Sequence, residues 1–379
     1  MNPDTRNILF AVLKAGLSRG ETPDAEGFRT LFDASGGRPD WKAVYRLAST
    51  QGVLAVAWDG VQRLVDAGVL DSGMQPDRNT MLQWVYNVQV IEQRYERQRR
   101  SIAELAVFYA GHDIRMMLLK GYGLSLCYPV PEHRPCGDID IWLYGEQKRA
   151  DELLRREKGI EVREDKHHHT IFFVNGVLVE NHYDFLNVHA HISNRGLEAV
   201  LQELAKSGSA ETHVDSGEGQ TAVWLPPADF NALFLLRHAA VHYAAVNIGL
   251  RHVVDWAMFI AEYGGQVDWA RLERTAVEYN MHRFLYCLNE IAVKCTGLDA
   301  ELFPKLPHDE LAGRVLEDIL SPEFSEQPPE GTLWRLNIYK VRRWWTNRWK
   351  HRIVYREGLL KTFFVQIYSH ILKPKSFTY

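Results

Sequence analysis

Gly137-Asp138-Ile139-Asp140-Ile141-Trp142-Leu143 sets two carboxylates two residues apart in a segment that reads as a strand. A period of two puts Asp138 and Asp140 on one face, with Ile139 and Ile141 on the other. Neighbouring carboxylates that are buried or half-buried repel each other and need a cation. Just upstream, Met116 to Leu119 form a short apolar run, Gly121 and Gly123 break it, and Leu124 to Tyr128 read as a short helix stopped by Pro129. A glycine turn between a strand and a helix leaves backbone N–H groups aimed at an anion. A phosphate cradle beside a metal-binding pair is the chemistry of a nucleotide–Mg²⁺ site.

Lys120-Gly121-Tyr122-Gly123, then Gly137-Asp138-Ile139-Asp140, then Val177-Leu178-Val179-Glu180 resemble the polymerase-β-like nucleotidyltransferase superfamily. Within it, the Leu-Lys-Gly opening, Arg134 ahead of Gly-Asp-Ile-Asp, and Glu180-Asn181-His182 are similar to the bacterial family of uncharacterised nucleotidyltransferases. Superfamily members usually carry Gly followed directly by Gly or Ser, whereas Tyr122 intervenes here. The resemblance implies an α+β protein, with a polymerase-β-like sheet flanked by N-terminal and C-terminal helical regions. It implies transfer of a nucleoside monophosphate from NTP to an acceptor hydroxyl, with release of pyrophosphate. Asp138, Asp140 and Glu180 would bind Mg²⁺ (or Mn²⁺), Glu180 as the third carboxylate near the metal that lowers the pKa of the acceptor hydroxyl. Amides around Gly121, Tyr122 and Gly123 would hold phosphates, with Ser125 adding a hydroxyl. Lys120 and Arg134 would stabilise charge, Lys120 as a point charge and Arg134 by forked contact. The acceptor stays open between a small molecule such as a sugar, a protein side chain and an RNA end. The alternative is a nucleotide-binding or scaffold protein that keeps the fold and has lost turnover.

Histidines crowd the same stretch. His167, His168 and His169 precede Thr170 to Val174, Asn175-Gly176 is a hairpin turn, and Val177 to Tyr183 return. Strand alternation allows His167 and His169 to converge with Glu180 across the hairpin, against a reading as polar edge residues. His182 shares the face of Glu180 and is better placed to orient that carboxylate than to ligate a metal. Further on, Arg237 and His242 have the Arg-x4-His spacing of small helical ribonuclease modules, a spacing common by chance. His238, His242 and His252 read equally well as polar groups satisfied between packed helices. Arg251 and Asp255 lie one turn apart, where an intrahelical ion pair is expected.

The elements that position these residues divide the chain into three regions. Residues 1–100 are expected to be helical, including a long helix from Asp77 to about Gly111 with Leu82, Val85, Val88, Ile91 and Tyr95 on one stripe. Residues 101–222 form the α/β core, and 223–379 are helical again from Ala228 onward. At 379 residues, with 46% hydrophobic and 24% charged content, the chain can bury substantial cores. No run approaches the roughly 18 apolar residues of a membrane span. The four cysteines show no CxxC spacing and read as reduced thiols of a cytoplasmic protein.

From Arg335 to Lys375 eleven lysines and arginines face a single acid, Glu357, in a chain whose net charge is −4. Tryptophans and tyrosines are interleaved with them. Such a segment seeks an anionic partner: a membrane surface, to which the protein would then be peripheral, or nucleic acid, or the acidic remainder of the same chain.

Overall fold

The computed structural model describes residues 3–20, 25–34, 39–165, 168–188, 191, 193–217, 219–306, 310–324, 329 and 333–358. Five helices open the chain: α1 (Pro3–Leu17), α2 (Ala25–Ala34), α3 (Trp41–Thr50), α4 (Leu54–Asp66) and α5 (Arg78–Ala110). Asp40 and Asp77 cap α3 and α5, their carboxylates accepting from first-turn amides that have no intrahelical acceptor. The apolar stripe of α5 buries Val88 and Tyr95 as expected but departs from the expectation at its start. Leu82 is 59% exposed, and Trp84 is buried among Trp41, Tyr45 and Trp58 with its indole N–H donating to the Leu54 carbonyl. The larger ring gains more from burial and takes the core position. In the charged middle of α5, Glu96 pairs with Arg99 and Arg100 of the same helix, the solvated-face arrangement.

The core then runs β1 (Met117–Leu119), α6 (Gly121–Ser125), β2 (Ile139–Trp142), α7 (Gln147–Lys158), β3 (Arg163–Asp165), β4 (His169–Val174), β5 (Val177–His182), α8 (Ser193–Ala205), β6 (Ala210–Asp215) and β7 (Gln220–Leu225). The seven strands form one mixed sheet in the order β3-β4-β5-β2-β1-β7-β6. β2 runs parallel to β5 and β1 parallel to β7, and the other pairs are antiparallel. The β4–β5 hairpin turns on Asn175 and Gly176, both at positive φ, a two-residue connection that matches the twist of the strands. The hairpin β6–β7 and helix α8 were not foreseen, because β6 presents mostly exposed polar residues and lacks the apolar alternation that marks a strand.

One face of this sheet buries Leu118, Ile139, Ile141, Phe172 and Val179 against the second half of α5 and against α7. The other face, carrying Met117, Leu119 and Trp142, joins the larger core built by the helices at either end of the chain. Alternation therefore sends Asp140, Glu180 and His182 toward the C-terminal helices. These are α9 (Ala228–Ala245), α10 (Leu250–Tyr263), α11 (Trp269–Glu278), α12 (His282–Thr296), α13 (Glu310–Leu320), α14 (Leu333–Thr346) and α15 (Arg348–Val354). Among the described residues no helix is long and apolar enough to cross a membrane.

The basic segment splits into two behaviours; Lys361, Lys373 and Lys375 lie outside the described residues. α15 docks on the chain's own body: Lys350 is fully buried, paired with Asp318 of α13 and bonded to Asn247, while Ile353 and Val354 enter the core. α14 contacts the body through Arg343, which donates to the Ala245 carbonyl, but leaves Trp334, Ile338, Val341 and Trp345 exposed. Breaking a buried ion pair by removing one partner leaves a charge uncompensated, at about 3–5 kcal/mol. Lys350→Met is therefore expected to lower unfolding free energy by about that much in urea titrations. An unchanged midpoint would show that the Lys350–Asp318 pair does not hold α15 down.

Candidate active site

Lys120 is where the site begins. It follows β1 at φ +51° and ψ −138°, a backbone region that side chains rarely adopt, and Gly121 comes next at φ +39°. This costs on the order of 1–3 kcal/mol and turns the chain directly into α6. The Lys120 ammonium lies 3.0 Å from Oδ1 of Asp140 and sits over the ring of Phe234 on α9. Asp140 is 3% exposed. Its cross-strand partners are Leu119 on β1 and Glu180 on β5, so the register itself sets the second and third carboxylates side by side. His182, two residues past Glu180, brings Nε2 to 3.0 Å from Asp140 and 3.5 Å from Glu180. His169, directly opposite His182 on β4, brings Nε2 to 3.7 Å from Glu180.

The charges in this cluster hold each other in set states. Burial alone pushes Asp140 up, but Lys120 and His182 outweigh it and keep the carboxylate well below its usual range. Burial likewise opposes, and the hydrogen bond from His182 reverses, the shift at Glu180, which is lowered. His182 loses to burial and gains more from Asp140 and Glu180, reaching about 9. Asp138 goes the other way: burial and the adjacent Asp140 charge raise it. Among the described residues Asp138 makes no ion pair at bonding distance.

These donors fit a divalent cation. A half-buried carboxylate with a raised pKa beside an ionised one is the pairing that a hard cation relieves, and carboxylate oxygens are the ligands Mg²⁺ takes. Ligand atoms of Asp140, Glu180 and His182 lie within 4.8 Å of one another, and so do those of His168, His169 and His182. The imidazoles extend the set toward Mn²⁺ and other transition metals.

The remaining residues singled out from the sequence fall on both sides of the site. Lys120, Gly121, Asp138, Asp140 and Glu180 line one cavity of about 670 Å³, roofed by α9 and α10. Gly123 lies beside a different cavity, with its Cα facing Leu225. The Tyr122 ring is buried on the far side, stacked on Tyr95, so only its backbone is available to a ligand. Ser125 is fully buried and donates to the Tyr122 carbonyl and to Tyr95, not into the cavity. Arg134 reaches the cavity wall, yet its fork is taken: Nε and one terminal nitrogen donate to the two carboxylate oxygens of Asp255 at 2.7 and 2.9 Å. Tyr128 donates to the same carboxylate at 2.7 Å. Asp255 thus pairs across the fold, and the intrahelical pair expected with Arg251 gives way to Arg251 donating to the Pro135 carbonyl. A fork-to-fork geometry is worth more than a single contact along a helix, which is why Asp255 takes the distant arginine. His167 lies outside the described residues.

His238 and Asp255 were not foreseen as neighbours of the site. The available signal was the clustering of His238, His242 and His252, whose rings lie 4.3 to 6.2 Å apart along the cavity roof. Only the packing that seats Phe234 of α9 against Lys120 turns that clustering into proximity.

Carboxylates thus stand at matching registers of two parallel strands, next to a strand–glycine–helix turn. The family model described as uncharacterised nucleotidyltransferase matches residues 37–297, and the chain belongs to that family. Among solved structures, an antigenic nucleotidyltransferase-like protein from Paracoccidioides brasiliensis is similar at 13% identity and a TM-score of 0.34, over 55% of this chain and 97% of that one. No curated protein matches the chain.

The raised pKa of His182 carries a signed pH dependence. A group whose folded pKa exceeds its unfolded value stabilises fully below the unfolded value, near 6.5, and loses that contribution as pH rises through about 9. Metal-free protein should therefore lose thermal stability between those limits, and His182→Asn should flatten the loss. NMR titration of the His182 ring checks the cause directly. A midpoint at or below 6.5 would show that Asp140 and Glu180 do not hold the proton there.

Proposed function

We propose that this chain is a Mg²⁺- or Mn²⁺-dependent nucleotidyltransferase that moves a nucleoside monophosphate from NTP to an acceptor hydroxyl. The observation that supports it most is the convergence of Lys120, Asp138, Asp140 and Glu180 on one cavity wall beside the turn at Gly121. When bound, a divalent metal would supply charge neutralisation on the phosphates and lower the pKa of the attacking hydroxyl, and Asp138 and Asp140 would hold it. First-turn amides at Gly121 and Tyr122 offer donors to phosphate oxygens, with the Lys120 ammonium adding positive charge at the same turn. Glu180, kept ionised by His182, receives the hydroxyl proton as the new oxygen–phosphorus bond forms and pyrophosphate leaves. His182 and His169 fix the orientation of Glu180. Arg134 acts through the fold: its pairing with Asp255 ties the loop ahead of Asp138 to α10.

Calorimetric titration with ATP and GTP should show binding that depends on Mg²⁺. Pyrophosphate release with a competent acceptor should drop by roughly 10²-fold or more in Asp140→Asn, with the fold retained. Glu180→Gln should impair release more than nucleotide binding. Equal and negligible nucleotide binding with and without Mg²⁺ would defeat the proposal. The Lys120–Asp140 pair favours one other reading, a nucleotide-binding module without turnover, since a protein cation already neutralises that carboxylate. Mg²⁺-dependent binding with no pyrophosphate release across hydroxyl acceptors would select it.

For the exposed side of α14, an anionic lipid surface is the partner that fits. Trp334, Ile338, Val341 and Trp345 recur every three or four residues and need apolar burial, which an interface of headgroups and acyl chains provides. Arg335, Lys340 and Arg342 supply the positive charge. Co-sedimentation with phosphatidylserine vesicles should be strong at about 0.1 M salt and fade toward 1 M as the Debye length shrinks from about 10 to 3 Å. A gel shift with RNA or DNA in the absence of vesicle binding would assign α14 to nucleic acid instead.

A further inference from the structure

Beyond the carboxylates, the same cavity is lined by a cation that the proposed chemistry leaves unused. Arg237 lies one helical turn past Phe234, the residue beneath the Lys120 ammonium. It is fully buried, and among the described residues no carboxylate pairs with it. Its terminal nitrogens donate to Oδ1 of Asn194 at 2.6 Å and to the Val354 carbonyl at 3.2 Å, and its plane lies over the Tyr355 ring. Nε has no partner. Glu357, the acid whose charge reaches Arg237, is engaged by the backbone and hydroxyl of Ser193. Beside it, His191 is 7% exposed, stacks on Tyr355 at 3.9 Å, and also carries a ring nitrogen, Nδ1, without a partner.

A buried guanidinium whose hydrogen-bond partners are neutral is compensated only in part by the Glu357 charge, an arrangement that a further anion relieves. Burial lowers the Arg237 pKa, and burial followed by the Arg237 charge lowers that of His191 to about 3, leaving a neutral imidazole as its neighbour. The unpartnered Nε and the unpartnered Nδ1 are the polar valences that a ligand would complete. We infer that Arg237, with Asn194 and His191, forms a subsite for an anionic group, a carboxylate or phosphate, on the acceptor. This deepens the transferase reading and rests on it only for the word acceptor. It narrows the acceptor to a hydroxyl compound that carries its own negative charge, small enough to lie between Glu180 and Arg237 in one cavity.

Inorganic phosphate is the probe, titrated calorimetrically into the full chain as wild type, Arg237→Gln, Arg237→Lys and Arg100→Gln. Phosphate should bind the wild type and Arg100→Gln, which alters an exposed arginine outside the cavity, with similar affinity. Binding should weaken at least tenfold in Arg237→Gln and partly recover in Arg237→Lys. Circular dichroism and thermal melts of each variant separate a lost site from a lost fold, and if Arg237→Gln does not fold, the comparison falls to Arg237→Lys and to His191→Phe. No phosphate binding by the wild type, or equal binding in the Arg237 and His191 variants, overturns the subsite. A second arm titrates Mg²⁺ with a non-hydrolysable ATP analogue. Unchanged affinity in Arg237→Gln assigns the anion to the acceptor, and a tenfold loss overturns that assignment by giving Arg237 to the triphosphate. If the analogue fails to bind while phosphate still depends on Arg237, the subsite stands and the nucleotidyl-transfer reading falls.

Discussion

Asp140 makes two close ionic contacts at once, with the Lys120 ammonium on one side and the His182 imidazole on the other. Three carboxylates cannot share a half-buried corner of a sheet without such partners, because each would raise the others toward protonation. The cluster answers unequally. Asp140 and Glu180 are held ionised, while Asp138 is pushed toward its neutral form. That imbalance defines where an added cation would act, beside the one carboxylate of the three that makes no close ion pair among the described residues. It also accounts for the backbone at Lys120, whose unusual φ and ψ bring its side chain back over β2 instead of letting β1 run on.

The helices supply the other half of the site. α9 and α10 lie over the sheet face that carries Asp140, Glu180 and His182, and a buried ion pair secures α10 while another anchors α15, on which α9 packs. Arg134 and Asp255 join the loop before β2 to α10, and Lys350 and Asp318 join α15 to α13. Arg237 adds a third link by donating to the end of α15. Buried ion pairs add little net stability compared with apolar packing, but they are sensitive to geometry and fix one arrangement of elements over others. Here they fix the roof of a cavity whose floor is the carboxylate cluster. The C-terminal basic segment therefore belongs partly to the body of the protein, with α14 left as its outward-facing portion.

Much of the floor was legible in the sequence because it depends on local rules. Alternation along Asp138 to Ile141 and along Val177 to His182 assigns faces without knowledge of the fold, and Asn175-Gly176 fixes the hairpin register. Helix caps at Asp40 and Asp77 are equally local. The places where the sequence reading went astray are those where a long-range competitor intervened. Trp84 displaced Leu82 from the buried stripe because Trp41, Tyr45 and Trp58 were there to receive it. β6 escaped notice because its residues are mostly exposed and carry no apolar period.

Arg134, Ser125 and Tyr122 mark the limit most clearly. Their types suit phosphate binding, and side-chain type is what a sequence records. Direction is set by what packs alongside: Asp255 from 121 residues away claims the Arg134 fork, while Tyr95 takes the Tyr122 ring and the Ser125 hydroxyl. The sequence by itself determined the strand faces, the glycine turn and the carboxylate set, since each follows from the period of two or from backbone sterics. Only the tertiary structure decided which cations are spent on internal pairs and which, like Arg237, are left facing the cavity, because that depends on partners brought together from distant parts of the chain.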